Sequence, residues 1–322
     1  MQYCDEDDIA KSLGLANNSV ITSQSSNYKI IKLLGEGGFG AVFLVSSSSK
    51  ENVKYALKVE KKTAKRKDPK LQMEVSILEN LKKSEKSEHF TEIVDKGKTS
   101  TYYFVVMELV GKSLADIKDK LGKVFTLGCG IRTMMQCADA ISAFHALGFI
   151  HRDLKPGNFC VGTLDKRRNI YLLDFGMARK FLNDKGEIKR PRRQVNFKGT
   201  LKFAPIRLHQ GNEYSRKDDA ESWFYMLEDL VNKRGLPWKK IGDMNLIRIS
   251  KEDSRKPENL QRLIGDFPCK AEFEKVLSYI DKLDYVHSVD FAYINSIMEE
   301  AAKVIQNTPE DPYDWESLPE EW

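Results

Sequence analysis

The sequence predicts an α+β chain in two parts, a small antiparallel sheet with one helix followed by a larger, mainly helical part. Three observations lead there. Short apolar runs separated by turn residues fill roughly 27–107. A single stretch of helical period, 70–83, interrupts them. From Gly111 to about residue 306 the apolar residues recur at helical spacing instead. At 322 residues the chain suits one large two-lobed domain or two smaller ones. With 41% hydrophobic and 31% charged residues, it reads as soluble and globular.

Residues 1–26 are polar, with Asn, Ser and Gln clusters, and read as a loose leader. Tyr28–Leu34, Ala41–Val45 and Lys54–Val59 read as three strands, the first two joined by a glycine-rich turn. In 70–83, Leu71, Val75, Leu78 and Leu81 form one helical stripe, and Glu74 falls on the same face. A carboxylate there needs a buried cation or donor, since leaving it unpaired costs several kcal/mol. Strands are expected near Thr91–Lys96 and Tyr102–Met107. In the second half Ile131, Met134, Met135, Ala138 and Ile141 make one stripe, and Trp223, Met226, Leu227 and Leu230 another. Asp219 lies on that second stripe, where a hydrophobe belongs. A short strand is expected at Ile170–Leu173. Thr308–Trp322 carries six acidic and no basic residues and reads as a solvated tail.

No apolar run is long enough to span a bilayer; the strongest, Tyr102–Val110, is strand-length and contains Glu108. The acidic start MQYCDEDDIA is no signal peptide, and no lipidation motif is present. Five scattered cysteines fit free thiols in a reducing compartment, so a cytoplasmic protein is expected, with a nuclear location also compatible. Met177–Lys217 holds 12 Lys and Arg against 3 Asp and Glu, a local charge of +9 in a chain of net +5. Such a segment attracts anionic partners, although a solvated loop is the plainer explanation of a short charge run.

Gly35-Glu36-Gly37-Gly38-Phe39-Gly40-Ala41-Val42 fits G-x-G-x-x-G-x-V. Glycines let backbone approach phosphates closely. The motif lies between two strands rather than opening a helix, which argues against a dinucleotide fold. The chain lacks G-x-x-x-x-G-K-[ST], which excludes a P-loop nucleotidase on motif. Lys58 sits inside an apolar strand, and Glu74, sixteen residues on, supplies its pair. His151-Arg152-Asp153-Leu154-Lys155-Pro156-Gly157-Asn158 projects Asp153 and Asn158 from a loop broken by Pro and Gly. Asp174-Phe175-Gly176 follows a short apolar strand. These carboxylate and amide oxygens are hard ligands suited to Mg²⁺.

At this point the sequence resembles the eukaryotic protein kinases over about residues 28–306. The resemblance implies a bilobal fold with an N-lobe at 27–107, a hinge at 108–110, a C-lobe at 111–306 and an acidic tail at 307–322. It implies ATP in the crevice between the lobes. Gly35, Gly37, Gly38 and Gly40 would cover the phosphates. Lys58, oriented by Glu74, would contact them. Leu34, Val42, Ala56, Met107, Glu108, Val110 and Cys160 would surround the adenine. Asp153 would act as base, Lys155 would neutralise the γ-phosphoryl group, and Asn158 and Asp174 would hold Mg²⁺. Lys155 resembles the Ser/Thr class. Asp219 would brace the catalytic loop by accepting backbone N–H bonds.

The second half resembles the casein kinase 1 superfamily. The Ala-Pro-Glu block reads Ala204-Pro205-Ile206, without its glutamate, and Ser215–Ser222 and Leu236-Pro237-Trp238 have that superfamily's character. Arg190-Pro191-Arg192-Arg193 with Phe197-Lys198-Gly199-Thr200 is nearest the tau-tubulin kinases, as is Asp311–Glu316. The resemblance implies that Lys189, Arg190, Arg192, Arg193, Lys198 and Thr200 recognise the substrate. Protein partners with acidic or phosphorylated flanks are expected, with no nucleic acid, no membrane and a monomeric state. The rival reading is a scaffold without phosphoryl transfer, whose mark would be a lost Lys58, Asp153 or Asp174. A second possibility for the acidic tail is docking on the +9 segment.

Overall fold

The computed structural model describes residues 9–37, 40–50, 53–63 and 69–319. They divide into two compact units, which meet in sequence between Val110 and Gly111.

The first unit contains α1 (Ile9–Ser12), β1 (Val20–Thr22), β2 (Asn27–Gly37), β3 (Gly40–Ser47), β4 (Lys54–Lys61), α2 (Lys70–Leu81), β5 (Ile93–Lys98) and β6 (Tyr102–Glu108). The strands make one antiparallel sheet in the order β1-β2-β3-β4-β6-β5. Alternation sets what each face carries. On β4, Tyr55, Leu57 and Val59 enter a core shared with Phe43, Phe104 and Val106. Ala56 and Lys58 sit on the opposite face and are half-buried.

The reading of 1–26 as a loose leader does not hold for residues 9–26. Ala10 and Ile21 are buried in the sheet's core, with Leu13 and Leu15 packed against it. These apolar residues are too few and too widely spaced to show as a period, yet each covers part of a sheet face. On α2 the buried stripe is Leu71, Glu74, Ile77, Leu78 and Leu81. Ile77, rather than Val75, fills the inner position.

The second unit contains α3 (Leu114–Leu121), α4 (Leu127–Ala146), β7 (Phe149–Ile150), β8 (Phe159–Val161), β9 (Ile170–Leu172), β10 (Arg179–Lys180) and α5 (Ile206–His209). There follow α6 (Arg216–Val231), α7 (Met244–Asp253), α8 (Pro257–Leu263), α9 (Lys270–Asp281) and α10 (Phe291–Val304). β7 pairs with β10 and β8 with β9, both antiparallel. α4 packs on both α6 and α10. Every residue of α6 from Asp218 to Val231 is buried. The Trp223 indole donates to the Met134 carbonyl at 2.8 Å, which ties α6 to α4. No helix among the described residues is long and apolar enough to cross a membrane.

The C-terminal segment is not a solvated tail over its described length. Tyr313 and Trp315 are buried and stacked, with ring centroids 4.5 Å apart. The Arg132 guanidinium lies 4.3 Å from the Tyr313 ring centroid, a cation–π contact. Its hydrogen bonds run to the Asp311 and Pro312 carbonyls at 2.6 and 3.0 Å. Arg167 donates to the Trp315 and Leu318 carbonyls, and Arg168 pairs with Glu316. Asp314 accepts from the Thr126 backbone and hydroxyl, closing the N-terminus of α4. The acidic segment is thus held by aromatic burial and by arginines of α4 and the β8–β9 turn. Docking on the +9 segment is not what the structure shows.

Candidate active site

In the first unit the glycine-rich motif forms the β2–β3 hairpin. Gly35 and Gly37 end β2 and Gly40 opens β3, with Gly37 opposite Gly40 and Gly35 opposite Val42. Gly38 lies outside the described residues. A Cβ on Gly40 would collide with the Val59 carbonyl, so the close strand approach requires glycine there. Leu34 precedes the motif and is exposed. Val42 stands opposite Lys58, and Ala56 opposite Met107. Glu108 closes β6, and Val110 is the last residue of the unit.

Lys58 Nζ meets both Glu74 carboxylate oxygens, at 2.8 and 2.7 Å. The pairing inferred from Glu74's place on the apolar face is therefore present. A second carboxylate, unforeseen in the sequence, sets its geometry. Buried Glu60, two residues beyond Lys58, accepts from the backbone N–H groups of Lys70 and Leu71 at 3.2 and 2.5 Å. It caps α2 and fixes that helix against β4.

In the second unit the 151–158 loop hangs on Asp219. This carboxylate, with no solvent exposure, accepts from His151 N at 2.8 Å, Arg152 N at 3.0 Å and His145 Nε2 at 2.8 Å. Burial alone would raise its pKa. The His145 hydrogen bond and charge, with the backbone donors, instead hold it below its ordinary value. Arg152 adopts φ 71°, a left-handed conformation rare outside glycine, which the Asp219 bonds over-determine.

Asp153 follows. Its Oδ2 accepts from Lys155 Nζ at 2.9 Å and its Oδ1 from the Thr200 hydroxyl at 2.8 Å. Gly199 makes that second contact possible. It has φ 108°, and a Cβ would sit 2.9 Å from the Arg152 carbonyl and 3.3 Å from Asp153 Oδ1. Asn158 Nδ2 donates to the Asp153 carbonyl at 2.8 Å. Leu173 N donates to the Asn158 carbonyl at 2.9 Å, which sets Asp174 beside Asn158. Asp174 is also left-handed, at φ 62°. One carboxylate and one amide oxygen fit a hard divalent cation that takes its other ligands from phosphate and water. Among the described residues no cluster of three or more His, Cys, Asp or Glu forms a metal cage.

Cys160 lies on β8, buried, opposite Tyr171 and bridged to Ser113. Burial pushes its thiol up to about 12, so it is an inert packing group.

The basic segment divides. Arg192 is bound by both oxygens of buried Glu213, at 2.5 and 2.9 Å, and Arg179 approaches the same carboxylate at 3.7 Å. The hydrogen bond to Glu213 raises the Arg192 pKa. Arg192 thus ties the loop to Glu213 while its side chain stays half exposed. Lys189 donates to the Lys180 carbonyl at 3.1 Å. Arg190, Arg193 and Lys198 are exposed.

The absent Ala-Pro-Glu glutamate has a replacement from α6. Glu221 accepts from Ile206 N at 3.0 Å and from the Tyr225 hydroxyl at 2.6 Å, and lies 3.5 Å from Arg255. His145, Gly199, Glu213 and Glu221 were all missed in the sequence. Glu221, two residues beyond Asp219, lies on the other side of α6 from the apolar stripe and left no periodic signal.

Residues 28–293 match the protein kinase domain family. The chain is 30% identical over 308 residues to a probable serine/threonine-protein kinase of Dictyostelium discoideum, covering 95% of this chain and 59% of that protein. It is 29% identical over 304 residues to the serine/threonine-protein kinase spe-6 of Caenorhabditis elegans, covering 92% of this chain and 78% of that one. The chain thus spans under two thirds of the Dictyostelium relative.

Proposed function

This chain belongs to the protein kinase family, on its serine/threonine side, and we propose that Asp153 is the base that directs transfer of the ATP γ-phosphoryl group to protein hydroxyls. Use of ATP and a divalent metal goes with the family; the oxygen donors of Asn158 and Asp174 favour Mg²⁺. One observation carries the reading. The Asp153 carboxylate is held by Lys155 and Thr200 on a loop braced by buried Asp219, so its direction is fixed.

An acceptor hydroxyl gives its proton to Asp153. Its oxygen attacks the γ-phosphorus, the bond to the β-phosphate oxygen breaks, and ADP leaves. In the second unit Lys155 is suited to neutralise charge on the transferred group; in the first, Lys58, with Glu74 fixing its direction, is suited to meet nucleotide phosphates. Gly35, Gly37 and Gly40 allow backbone to approach those phosphates. Bound metal supplies charge neutralisation for the leaving phosphate. The adenine candidates are Leu34, Val42, Ala56, Met107, Glu108 and Val110 in the first unit and Cys160 in the second.

Acceptors with acidic or phosphorylated flanks are favoured, read by Lys189, Arg190, Arg192, Arg193, Lys198 and Thr200; the exposure of Arg190, Arg192, Arg193 and Lys198 supports that role. The sequence blocks at 190–200 and 204–222 support a place in the casein kinase 1 superfamily, nearest the tau-tubulin kinases. A monomer in the cytoplasm, with nuclear access, accords with the composition.

The test is labelled-phosphate transfer to an acidic protein such as casein, wild type against Asp153→Asn. Equal transfer by both would end the assignment of Asp153 and point to a scaffold. A peptide array that shows no gain from acidic or phosphorylated flanks would remove the acceptor preference alone.

A further inference from the structure

α7 carries a lysine with no solvent exposure, Lys251. A buried ammonium is tolerated only when its donors are satisfied and its charge is met by dipoles or counter-charge. Lys251 Nζ has three protons and three acceptors: the Leu201 carbonyl at 2.9 Å, the Ala204 carbonyl at 2.5 Å and His209 Nε2 at 3.1 Å. It also stands 5.1 Å from the ring centroids of both Tyr225 and Trp238. Glu221 is already taken up by Arg255, Tyr225 and Ile206 N. Burial lowers the Lys251 pKa to about 7 against the pull of Glu221, and its donors are spent on the two carbonyls and His209.

Those carbonyls belong to the turn that follows Thr200. Phe203 N and Ala204 N both donate to the Thr200 carbonyl at 3.0 Å. The Trp238 indole donates to the Lys202 carbonyl at 2.7 Å, from the same side chain whose ring faces Lys251. The carbonyls of Leu201, Lys202 and Ala204 are thus each gripped by a side chain from α7 or the segment before it. At the head of the turn Thr200 Oγ1 bonds Asp153.

We propose that Lys251 is a positioning residue for the phosphoryl acceptor: by gripping the 201–204 carbonyls it holds Thr200, and the residues beside the acceptor, in register with Asp153. This rests on the reading of Asp153 as the base. It predicts that Lys251 governs the protein substrate and not the nucleotide.

The test uses the full chain with Lys251→Met, which removes the ammonium and its donors while keeping an unbranched apolar stem. Nucleotide affinity, read with a fluorescent ATP analogue, stays within about twofold of wild type, while kcat/KM for a peptide acceptor falls about tenfold or more, because a misplaced acceptor loses orientation. Trp238→Phe, which keeps the ring but loses the donor to Lys202, shows a smaller fall in the same quantity and carries the test if Lys251→Met does not fold. Peptide kcat/KM unchanged in the folded variants would overturn the inference. So would a loss of nucleotide affinity equal to the loss of peptide turnover. Failure of the underlying reading shows separately, as wild-type transfer by Asp153→Asn.

Discussion

The two ends of α6 treat a buried carboxylate in opposite ways. Asp219, in the first turn, and Glu228, three residues from the last, both have no solvent exposure. Burial pushes each towards the neutral acid. Asp219 nevertheless lies below its ordinary pKa, held there by His145 and two backbone N–H groups. Glu228 is pushed up to about 8, with only long bonds from Asn232 and Gly265 N, at 3.3 and 3.4 Å. The helix dipole adds to the contrast, favouring an anion at the N-terminal end and disfavouring one near the C-terminal end. Asp218, in the same first turn and equally buried, is raised to about 7 by burial and by Glu221 despite two bonds from Ser215, so it is His145 with the two loop N–H groups that sets Asp219 apart. The charged one sits under the catalytic loop.

Removing the better-held carboxylate should do the most damage. Asp219→Ala leaves three donors without their acceptor and releases Arg152 from the bonds that hold its left-handed backbone. Stability is expected to fall by about 3 kcal/mol or more. Phosphoryl transfer should fall at least about 100-fold, since Asp153 loses its fixed direction. Denaturant melts and a transfer assay check both; a loss of stability under about 1 kcal/mol would show that the loop is held from elsewhere.

Glu74 is the intermediate case, a buried carboxylate met by a cation. Lys58→Met removes the bidentate partner of Glu74. The Lys58 side chain is 22% exposed, so water softens the loss, and about 1–2 kcal/mol is expected. Transfer should drop at least about 100-fold with far less unfolding than in Asp219→Ala. Comparable destabilisation by the two variants would erase the distinction between an ion pair open to water and a carboxylate buried among N–H donors.

The smallest effect belongs to Glu228→Gln and appears in pH dependence. A carboxyl whose folded pKa is raised contributes stability fully present below its unfolded value, near 4.5, and lost as pH climbs towards about 8. The glutamine variant has no such loss. Relative to wild type it should gain about 1 kcal/mol or more between pH 5 and pH 9. Asp218, raised to about 7, keeps a slope of the same sign in both proteins. Asp219 has the opposite sign and an acid window: its stabilisation is lost only as pH falls through its lowered pKa. Parallel stability curves for wild type and Glu228→Gln would mean that Glu228 is charged throughout.

Much of the first unit was legible because its information is local. Short apolar runs between turn residues placed the strands at 28–34, 41–45, 54–59 and 102–107, within three residues at either end. A carboxylate on the apolar face of 70–83 pointed to Lys58 sixteen residues back. Glu60 was not legible, since a side chain that caps a helix ten residues away leaves no period. In the second unit the 151–158 and 174–176 motifs stood out by composition, whereas Gly199 and His145 did not. Each matters only because the chain brings it against Asp153 or Asp219, 46 and 74 residues away in sequence. The terminal segments misled for a related reason. Polar composition hid Ala10, Ile21, Tyr313 and Trp315, which need a distant sheet face or an arginine to pack on.

The order of strands and helices, the lysine–glutamate couple and the oxygen-bearing loops were determined by the sequence alone, because they depend on spacing along the chain. Only the tertiary structure decided that Arg192 is held by Glu213, that Glu221 serves in place of the missing block glutamate, and that Lys251 grips the 201–204 turn. Those choices turn on which donors and acceptors meet when distant segments bury each other's charges, and local spacing carries no record of that.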